Sequence, residues 1–149
     1  MKKNKLDKEI IITILVLLLD QISKLLVEKY LYNSQINILK NIFSLTYVQN
    51  TGGAWGVMNG TPIVFLVLVP VIVIAIFIAA THSQNRLEKI SWYMIIGGAL
   101  GNYVDRLFKH YVVDFFDFHI WPVFNVADIF VVVGCIMLIV SSVLKKGDE

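Results

Sequence analysis

The sequence contains little charge for its length. Only 16% of its 149 residues are Asp, Glu, Lys or Arg, and ten of these 24 side chains lie in residues 1–9 and 145–149. A water-soluble domain carries roughly 25% charged residues and fewer apolar residues than the 57% found here. The composition therefore excludes a soluble globular domain and a disordered segment. The formal net charge is +2, and no basic patch is interleaved with aromatic residues, which excludes a nucleic-acid-binding protein.

Cysteine is nearly absent, and alanine is absent from the first third of the chain. The single cysteine, Cys135, excludes an internal disulfide and a cysteine-rich zinc site, and its apolar surroundings are typical of a small packing residue. The first alanine is Ala54, so no Ala-x-Ala cleavage site follows the first apolar run. We therefore interpret that run as an uncleaved membrane span rather than as a secretory signal peptide.

Four apolar runs are present, and each is long enough to cross a bilayer. The sequence therefore predicts one membrane domain over residues 1–149, built as an all-α bundle of four transmembrane helices. Basic residues collect at both ends of the chain and between the second and third runs, which predicts that both termini are cytoplasmic. The runs cover residues 10–27, 62–80, 90–108 and 126–144.

The first extracytoplasmic loop has the pattern of a small β element. Residues 36–48 are rich in β-formers, and the turn sequence Asn50-Thr51-Gly52-Gly53 follows them. We expect a β-rich loop over about residues 36–60 that lies on the outer surface of the membrane.

Polar residues interrupt three of the four runs near their predicted outer ends. Asp20 and Lys24 lie one helical turn apart on one face, which is typical of a buried ion pair. We expect Arg106 either to extend to the membrane interface or to pair with a carboxylate. Because three runs contribute to one layer, we interpret this layer as the functional site. Its members are Asp20, Lys24, Asn102, Asp105, Arg106, Asn125 and Asp128.

Asp114 and Asp128 are the two carboxyl groups best suited to chemistry. Both have apolar neighbours in the sequence, and neither has an obvious cation nearby. If the fold brings them together they will share one proton, which is the arrangement that an aspartic peptidase uses. Helix capping and interfacial hydrogen bonds are the structural alternative for both residues.

The residues alone leave two other kinds of function open. A zinc site formed by His110, Asp114, Asp117 and His119 is one, although their spacing matches no common ligand pattern and no His-Glu-x-x-His motif is present. A non-enzymatic ion carrier or membrane scaffold is the other. A carrier needs polar residues across the whole membrane, and the second run contains no charge.

Five ordered motifs resemble those of the bacterial lipoprotein signal peptidases, also called signal peptidase II. The similarity covers nearly the whole chain. Trp55 is a departure, because the family more often has phenylalanine there. The motifs are Asp20-Gln21-x-x-Lys24, Asn50-Thr51-Gly52-Gly53-Ala54-Trp55-Gly56, Gly97-Gly98-Ala99-Leu100-Gly101-Asn102-x-x-Asp105-Arg106, Val113-Asp114-Phe115 and Phe124-Asn125-x-Ala127-Asp128.

The resemblance implies an aspartic endopeptidase of the bacterial cell membrane. Such an enzyme removes the signal peptide from diacylglyceryl-modified prolipoproteins just before the lipidated cysteine, near the outer leaflet. The resemblance implies Asp114 and Asp128 as the catalytic pair and gives Asp117 no role. It also implies that the enzyme uses no metal or cofactor. It further implies contact with membrane lipid and inhibition by globomycin-type peptides. Because the site is self-contained within one chain, a monomer is expected. The supporting residues that it implies are Asp20, Lys24, Asn50, Gly52, Asn102, Asp105, Arg106, Asn125 and Ala127.

Overall fold

A computed structural model describes residues 8–52 and 62–147. The described part contains four long helices and three short strands. The elements, in chain order, are α1 (Ile10–Leu31), β1 (Gln35–Leu39), β2 (Phe43–Asn50), α2 (Pro62–His82), α3 (Arg86–Lys109), β3 (Val112–Asp117) and α4 (Val126–Gly147).

Three of these helices are long and apolar enough to cross a membrane, namely Ile10–Leu31, Ile63–His82 and Val126–Lys145. The third predicted span, residues 90–108, lies in α3 and is not among them. The reason is that α3 packs against each of the other three helices. Its surface therefore faces protein, where small and polar residues are favoured over the aliphatic residues that face lipid.

The small residues of α3 allow this close packing. A Cβ atom added to Gly97 would lie 2.8 Å from the Cβ of Val16 on α1, and one added to Gly101 would lie 2.5 Å from Asp20 Oδ2. A Cβ on Gly98 would collide with the backbone carbonyl of Ala127 on α4. The three glycines thus hold α1 and α4 close to α3, and they determine how near the polar residues of α1 and α4 approach each other.

The helices extend beyond the predicted apolar runs by up to four residues at an end. The side-chain oxygen of Asn85 accepts hydrogen bonds from the backbone N–H groups of Leu87 and Glu88, so α3 begins at Arg86 rather than at residue 90. It ends at Lys109, and the next residue, His110, has a left-handed φ of 67°. Polar caps and the last turns lie outside the apolar stretch, which is why the apolar pattern underestimates helix length.

The predicted β element of the first outer loop is present as β1 and β2, but the sheet has a third strand that the prediction did not include. The strands form an antiparallel sheet in the order β1-β2-β3, and β3 comes from the second outer loop. Its Val112–Asp117 segment is rich in β-branched and aromatic residues, which favour a strand beside β2. Residues 53–60 of the predicted β-rich loop lie outside the described residues.

The sheet lies at the C-terminal end of α1, which leads into β1. Val27 and Leu31 of α1 form a buried apolar cluster with Val113 and Phe115 of β3. A second cluster, made by Ala80, Tyr93 and Ile96, joins α2 to α3. The first cluster fixes β3 above the helices, and it thereby positions the strand that carries Asp114.

Candidate active site

Asp114 is the third residue of β3, and its side chain is buried. Val48 on β2 is its direct partner in the register, and Asn50 is paired with Val112. Asn50 is therefore a diagonal neighbour of Asp114 on the same face of the sheet. The Nδ2 atom of Asn50 donates to Asp114 Oδ2 at 2.8 Å.

Asp128 is the third residue of α4 and takes part in the cap of that helix. The backbone N–H of Asn125 donates to Asp128 Oδ2 at 3.1 Å, and the backbone N–H of Asp128 donates to Asn125 Oδ1 at 3.0 Å. This reciprocal pair is a capping box. Capping, the structural alternative considered for Asp128, is therefore present, but it occupies one carboxylate oxygen. The other oxygen, Oδ1, accepts a hydrogen bond from Asn102 Nδ2 at 2.8 Å.

Three asparagine side chains connect the two carboxyl groups. Asn125 Nδ2 donates to Asp114 Oδ1 at 2.6 Å, so one residue both contacts Asp114 and caps the helix that carries Asp128. Each amide is oriented by a second hydrogen bond. The Oδ1 of Asn50 accepts from the N–H of Gly52, and the Oδ1 of Asn102 accepts from Lys24 Nζ at 2.9 Å. The donors thus point at the carboxyl groups.

Lys24 lies at the centre of a buried charge cluster beneath this pair. Its Nζ atom is 2.8 Å from Asp20 Oδ2 and 3.0 Å from Asp105 Oδ2, and all three side chains are at most 1% exposed. The expected pair of Asp20 and Lys24 is therefore part of a triad. With Asn102 as the third acceptor, the ammonium group has a partner for each of its protons.

The two carboxylates of the cluster position the two candidate catalytic residues through the backbone. Asp20 Oδ1 accepts from the N–H of Ala127 at 2.9 Å, and Asp105 Oδ2 accepts from the N–H of Val113 at 3.1 Å. Ala127 directly precedes Asp128, and Val113 directly precedes Asp114. The cluster therefore fixes the chain one residue before each carboxyl group.

Arg106 is buried in the protein, with 8% of its surface exposed. Its Nη2 atom donates to the carbonyl oxygen of Gly52 at 2.8 Å, and its guanidinium carbon lies 4.3 Å from the centre of the Phe65 ring on α2. Arg106 also lines the same cavity as Asp114 and Asp128. Neither aspartate has a cation beside it in the sequence, but the fold places Arg106 on their cavity. A cation that is adjacent only in the fold was not visible from sequence spacing.

The cavity between these residues has a volume of about 290 Å³. Polar groups of β2, α3, β3 and α4 meet there, and apolar residues of α4 and of the segment before it complete the wall. The lining residues are Asn50, Asn102, Arg106, Val112, Asp114, Trp121, Pro122, Val123, Phe124, Asp128, Val131 and Val132.

Burial raises the pKa of Asp114 from its ordinary value of 3.8 to about 7. The hydrogen bond from Asn50 acts in the opposite direction, and the nearby negative charge of Asp128 raises the pKa further. Near neutral pH, Asp114 therefore still holds a proton in much of the population. A carboxyl group that keeps its proton near neutrality can serve as the acid of such a pair.

Asp117, His110 and His119 are not part of this arrangement. Asp117 lies three residues after Asp114, which places it on the opposite face of the strand. Its Oδ1 accepts from the N–H of His119 at 2.7 Å. Within residues 8–52 and 62–147, no group of three or more His, Cys, Asp or Glu side chains is arranged to hold a metal ion.

Sequence reasoning gave no role to two residues that support the site. The Nε2 atom of Gln21 lies within hydrogen-bonding distance of both Asp20 Oδ2 and the carbonyl oxygen of Gly101, which joins α1 to α3. Phe65 lies in an apolar run, and nothing in that run indicates its contact with Arg106. Gln21 could have been found from its place beside Asp20, but Phe65 carries no such signal.

Long apolar helices together with two carboxyl groups on one cavity are the arrangement expected of an aspartic peptidase that works in a membrane. A profile of the family described as signal peptidase (SPase) II matches residues 12–144. The chain belongs to the signal peptidase II family.

Individual relatives agree with this assignment. The chain is 46% identical over 132 residues to the lipoprotein signal peptidase of Halothermothrix orenii, with 87% of this chain and 90% of the relative covered. It is 41% identical over 149 residues to the lipoprotein signal peptidase of Clostridium acetobutylicum, with 95% and 97% covered. A bacterial membrane enzyme solved by the in meso method at 2.3 Å resolution matches with a TM-score of 0.88 at 25% identity, and 97% of this chain and 93% of that one are covered.

Proposed function

We propose that Asp114 and Asp128 are the catalytic pair with which this signal peptidase II removes the signal peptide from prolipoproteins. One observation carries the proposal: two carboxyl groups from different elements line one cavity and are joined through Asn125. The supporting roles belong to the three asparagines, to Arg106 with Gly52, and to the Asp20–Lys24–Asp105 cluster with the Ala127 N–H.

The pair divides the roles of base and acid. Asp128 acts as the base and takes a proton from a water molecule. The water oxygen then bonds to the carbonyl carbon of the scissile peptide. Asp114 gives its proton to the carbonyl oxygen, so a neutral tetrahedral intermediate forms and the single negative charge moves to Asp114.

In the collapse of the intermediate, Asp128 becomes the proton donor and Asp114 the proton acceptor. Asp128 gives its proton to the peptide nitrogen, the carbon–nitrogen bond breaks, and Asp114 takes back a proton from the hydroxyl group. The pair again holds one proton. The positive charge of Arg106 lies on the same cavity and offsets the negative charge of the pair throughout. No metal ion or cofactor takes part in these steps.

We further propose that α3 crosses the membrane as the fourth span within one domain of residues 1–149. The basic residues at both ends of the chain and in the α2–α3 connection support cytoplasmic termini in the bacterial cell membrane. The catalytic pair then lies near the outer leaflet. Because one chain supplies both carboxyl groups, a monomer is sufficient for the reaction.

The substrate class follows from this depth. The proposed substrate carries a diacylglyceryl group on the cysteine after the scissile bond, and this lipid holds the bond at the interface where the cavity lies. Globomycin-type cyclic peptides are expected to occupy the same cavity.

Removal of the lipid from the substrate is expected to slow cleavage by about a hundredfold or more. A lipid chain and a membrane-bound enzyme share one surface, so the lipid raises the effective concentration of the scissile bond at the cavity. The measurement compares kcat/KM of the purified enzyme for matched prolipoproteins with and without the diacylglyceryl group. Equal cleavage of both would contradict the lipoprotein specificity and leave a general membrane peptidase.

The pH dependence of cleavage is expected to be bell-shaped, with the basic limb near neutrality. Asp114 must hold a proton to polarise the carbonyl, and its pKa is raised to about 7, so kcat/KM should fall as pH rises through that value. The acidic limb reports the second proton that the pair takes up, and both apparent pKa values belong to the pair rather than to one residue. A rate that stays constant through neutral pH and falls only where tyrosine ionises would contradict this division of roles.

A further inference from the structure

A second cavity lies between α3 and α4 at the other end of the same two helices. Its volume is about 480 Å³. The wall is largely apolar, but Glu88 places a carboxylate in it. The lining residues are Glu88, Trp92, Leu138, Ile139, Ser142 and Val143.

The two cavities lie along one continuous face of the helix pair. On α3, Glu88 and Arg106 are 18 positions apart, which is five full turns at 3.6 residues per turn. On α4, Asp128 and Ile139 are 11 positions apart, and 11 positions are close to three full turns. The two cavities therefore lie on the same face of the helix pair, and we call this face, from Glu88 to the catalytic pair, the α3/α4 seam.

The middle of the seam is made by small side chains. Ala99 on α3 and Cys135 on α4 lie between the two cavities at the same angular positions, and Cys135 is exposed. Where these helices meet, Gly98 lies against the Ala127 carbonyl and Gly134 against Ile95. These two glycines let α3 and α4 pack closely against each other.

We propose that the α3/α4 seam binds the signal peptide as a helix and that Glu88 receives a Lys or Arg of its basic N-terminal region. This inference rests on the proposed function, since it requires the scissile bond at Asp114 and Asp128. A signal peptide begins with a basic segment and continues with an apolar segment of about 7–15 residues, or about 10–22 Å as a helix. Asn102 lies 14 positions beyond Glu88, or about 21 Å along α3.

The present partners of Glu88 leave it able to accept such a cation. Lys145 forms an ion pair with Glu88, but the Lys145 side chain is 58% exposed. Exposed ion pairs add little stability, so a substrate cation can replace Lys145, which then returns to water. Ser83 Oγ donates to Glu88 Oε2 at 2.6 Å and keeps the carboxylate oriented. The neighbouring basic residues Arg86 and Lys89 lie about 160° and 100° around the α3 axis from Glu88, so they are on other faces of the helix.

A charge exchange tests the contact with Glu88. Glu88→Gln should lower kcat/KM about five- to tenfold for a substrate with a basic N-terminal region and leave a neutral one unchanged. Glu88→Lys should restore cleavage of a substrate whose basic residues are replaced by glutamate. Glu9→Gln is the matched control, because it removes the same charge at the same end of the molecule, before α1. Equal effects of Glu88→Gln on both substrates, or no effect on either, would overturn the assignment.

Cross-linking tests the position of the helix independently of charge. The substrate cysteine is blocked by its lipid, so Cys135 can be joined by a short bismaleimide to a single cysteine introduced in the apolar segment. The enzyme carries Asp128→Asn to retain the substrate. A cross-link from the middle of the apolar segment is expected. A Val71→Cys, Cys135→Ser variant provides the control, because Val71 is exposed on α2. Reaction at Val71→Cys without reaction at Cys135 would overturn the seam as the binding site.

The two levels of the proposal fail in different ways. If the unaltered enzyme does not cleave the lipidated substrate, the proposed function fails regardless of Glu88. If cleavage is normal while Glu88 exchange and Cys135 cross-linking give the contradicting results, only the seam assignment fails.

Discussion

Asp114→Asn and Asp128→Asn are each expected to reduce cleavage at least about a thousandfold, because each carboxyl group has a proton transfer that an amide cannot perform. An asparagine at position 128 can still accept the N–H of Asn125, so the cap of α4 is retained. An asparagine at position 114 keeps one of its two amide contacts, with Asn50 or with Asn125. The measurement is kcat/KM on a lipidated prolipoprotein, with the melting temperature in detergent recorded for each variant.

Asp117→Asn provides the matched control for this pair. It removes a carboxylate from the same strand, but its Oδ1 contact is with the N–H of His119 on the other face. We expect it to retain most of the activity. A metal chelator should have no effect, because none of the proposed steps passes through a metal. Near-normal cleavage by Asp114→Asn or by Asp128→Asn, or inhibition by a chelator, would contradict the aspartic mechanism.

The sequence was sufficient to identify which residues converge, because burying a charge in a membrane has a large cost and such residues are grouped. Asp20 with Lys24, and Asn102 with Arg106, are spaced one turn apart, so periodicity alone placed them on common faces. Helix rise is nearly constant, so spacing also predicted a common layer, and Asp20 does lie beside Gly101, which directly precedes Asn102. These features depend on local geometry, which sequence spacing records.

The sequence did not reveal how β3 joins β2, because strand pairing between two loops is a contact between residues more than 60 positions apart. Without that pairing, the contact between Asn50 and Asp114 cannot be derived. The contacts of Asp20 and Asp105 with backbone N–H groups could not be predicted either, because a backbone N–H donor does not depend on the type of the residue that carries it. Arg106 illustrates the same limit, because its partner is the carbonyl of Gly52.

The triad also changes what is expected of substitutions in the charge cluster. For an isolated pair of Asp20 and Lys24, loss of either partner leaves one uncompensated charge, and loss of both leaves none. The observed cluster has two carboxylates around one ammonium group. The next cation, Lys109, is more distant, with its Nζ atom 3.9 Å from Asp105 Oδ1. The two single substitutions are therefore not equivalent.

Lys24→Met is expected to destabilise the protein by about 3–5 kcal/mol, because it leaves two buried carboxylates without their cation. Asp20→Asn should cost only about 1–2 kcal/mol, since Lys24 and Asp105 remain as a neutral pair and the amide oxygen of the new side chain can still accept the N–H of Ala127. Adding Asp20→Asn to Lys24→Met should recover only part of the loss, because Asp105 stays unpaired. Adding Asp105→Asn as a third change should recover more. Unfolding in detergent measures all four variants. Equal destabilisation by the two single changes, or full recovery in the double variant, would mean that Asp20 and Lys24 act as a pair and that Asp105 is not part of the buried charge balance.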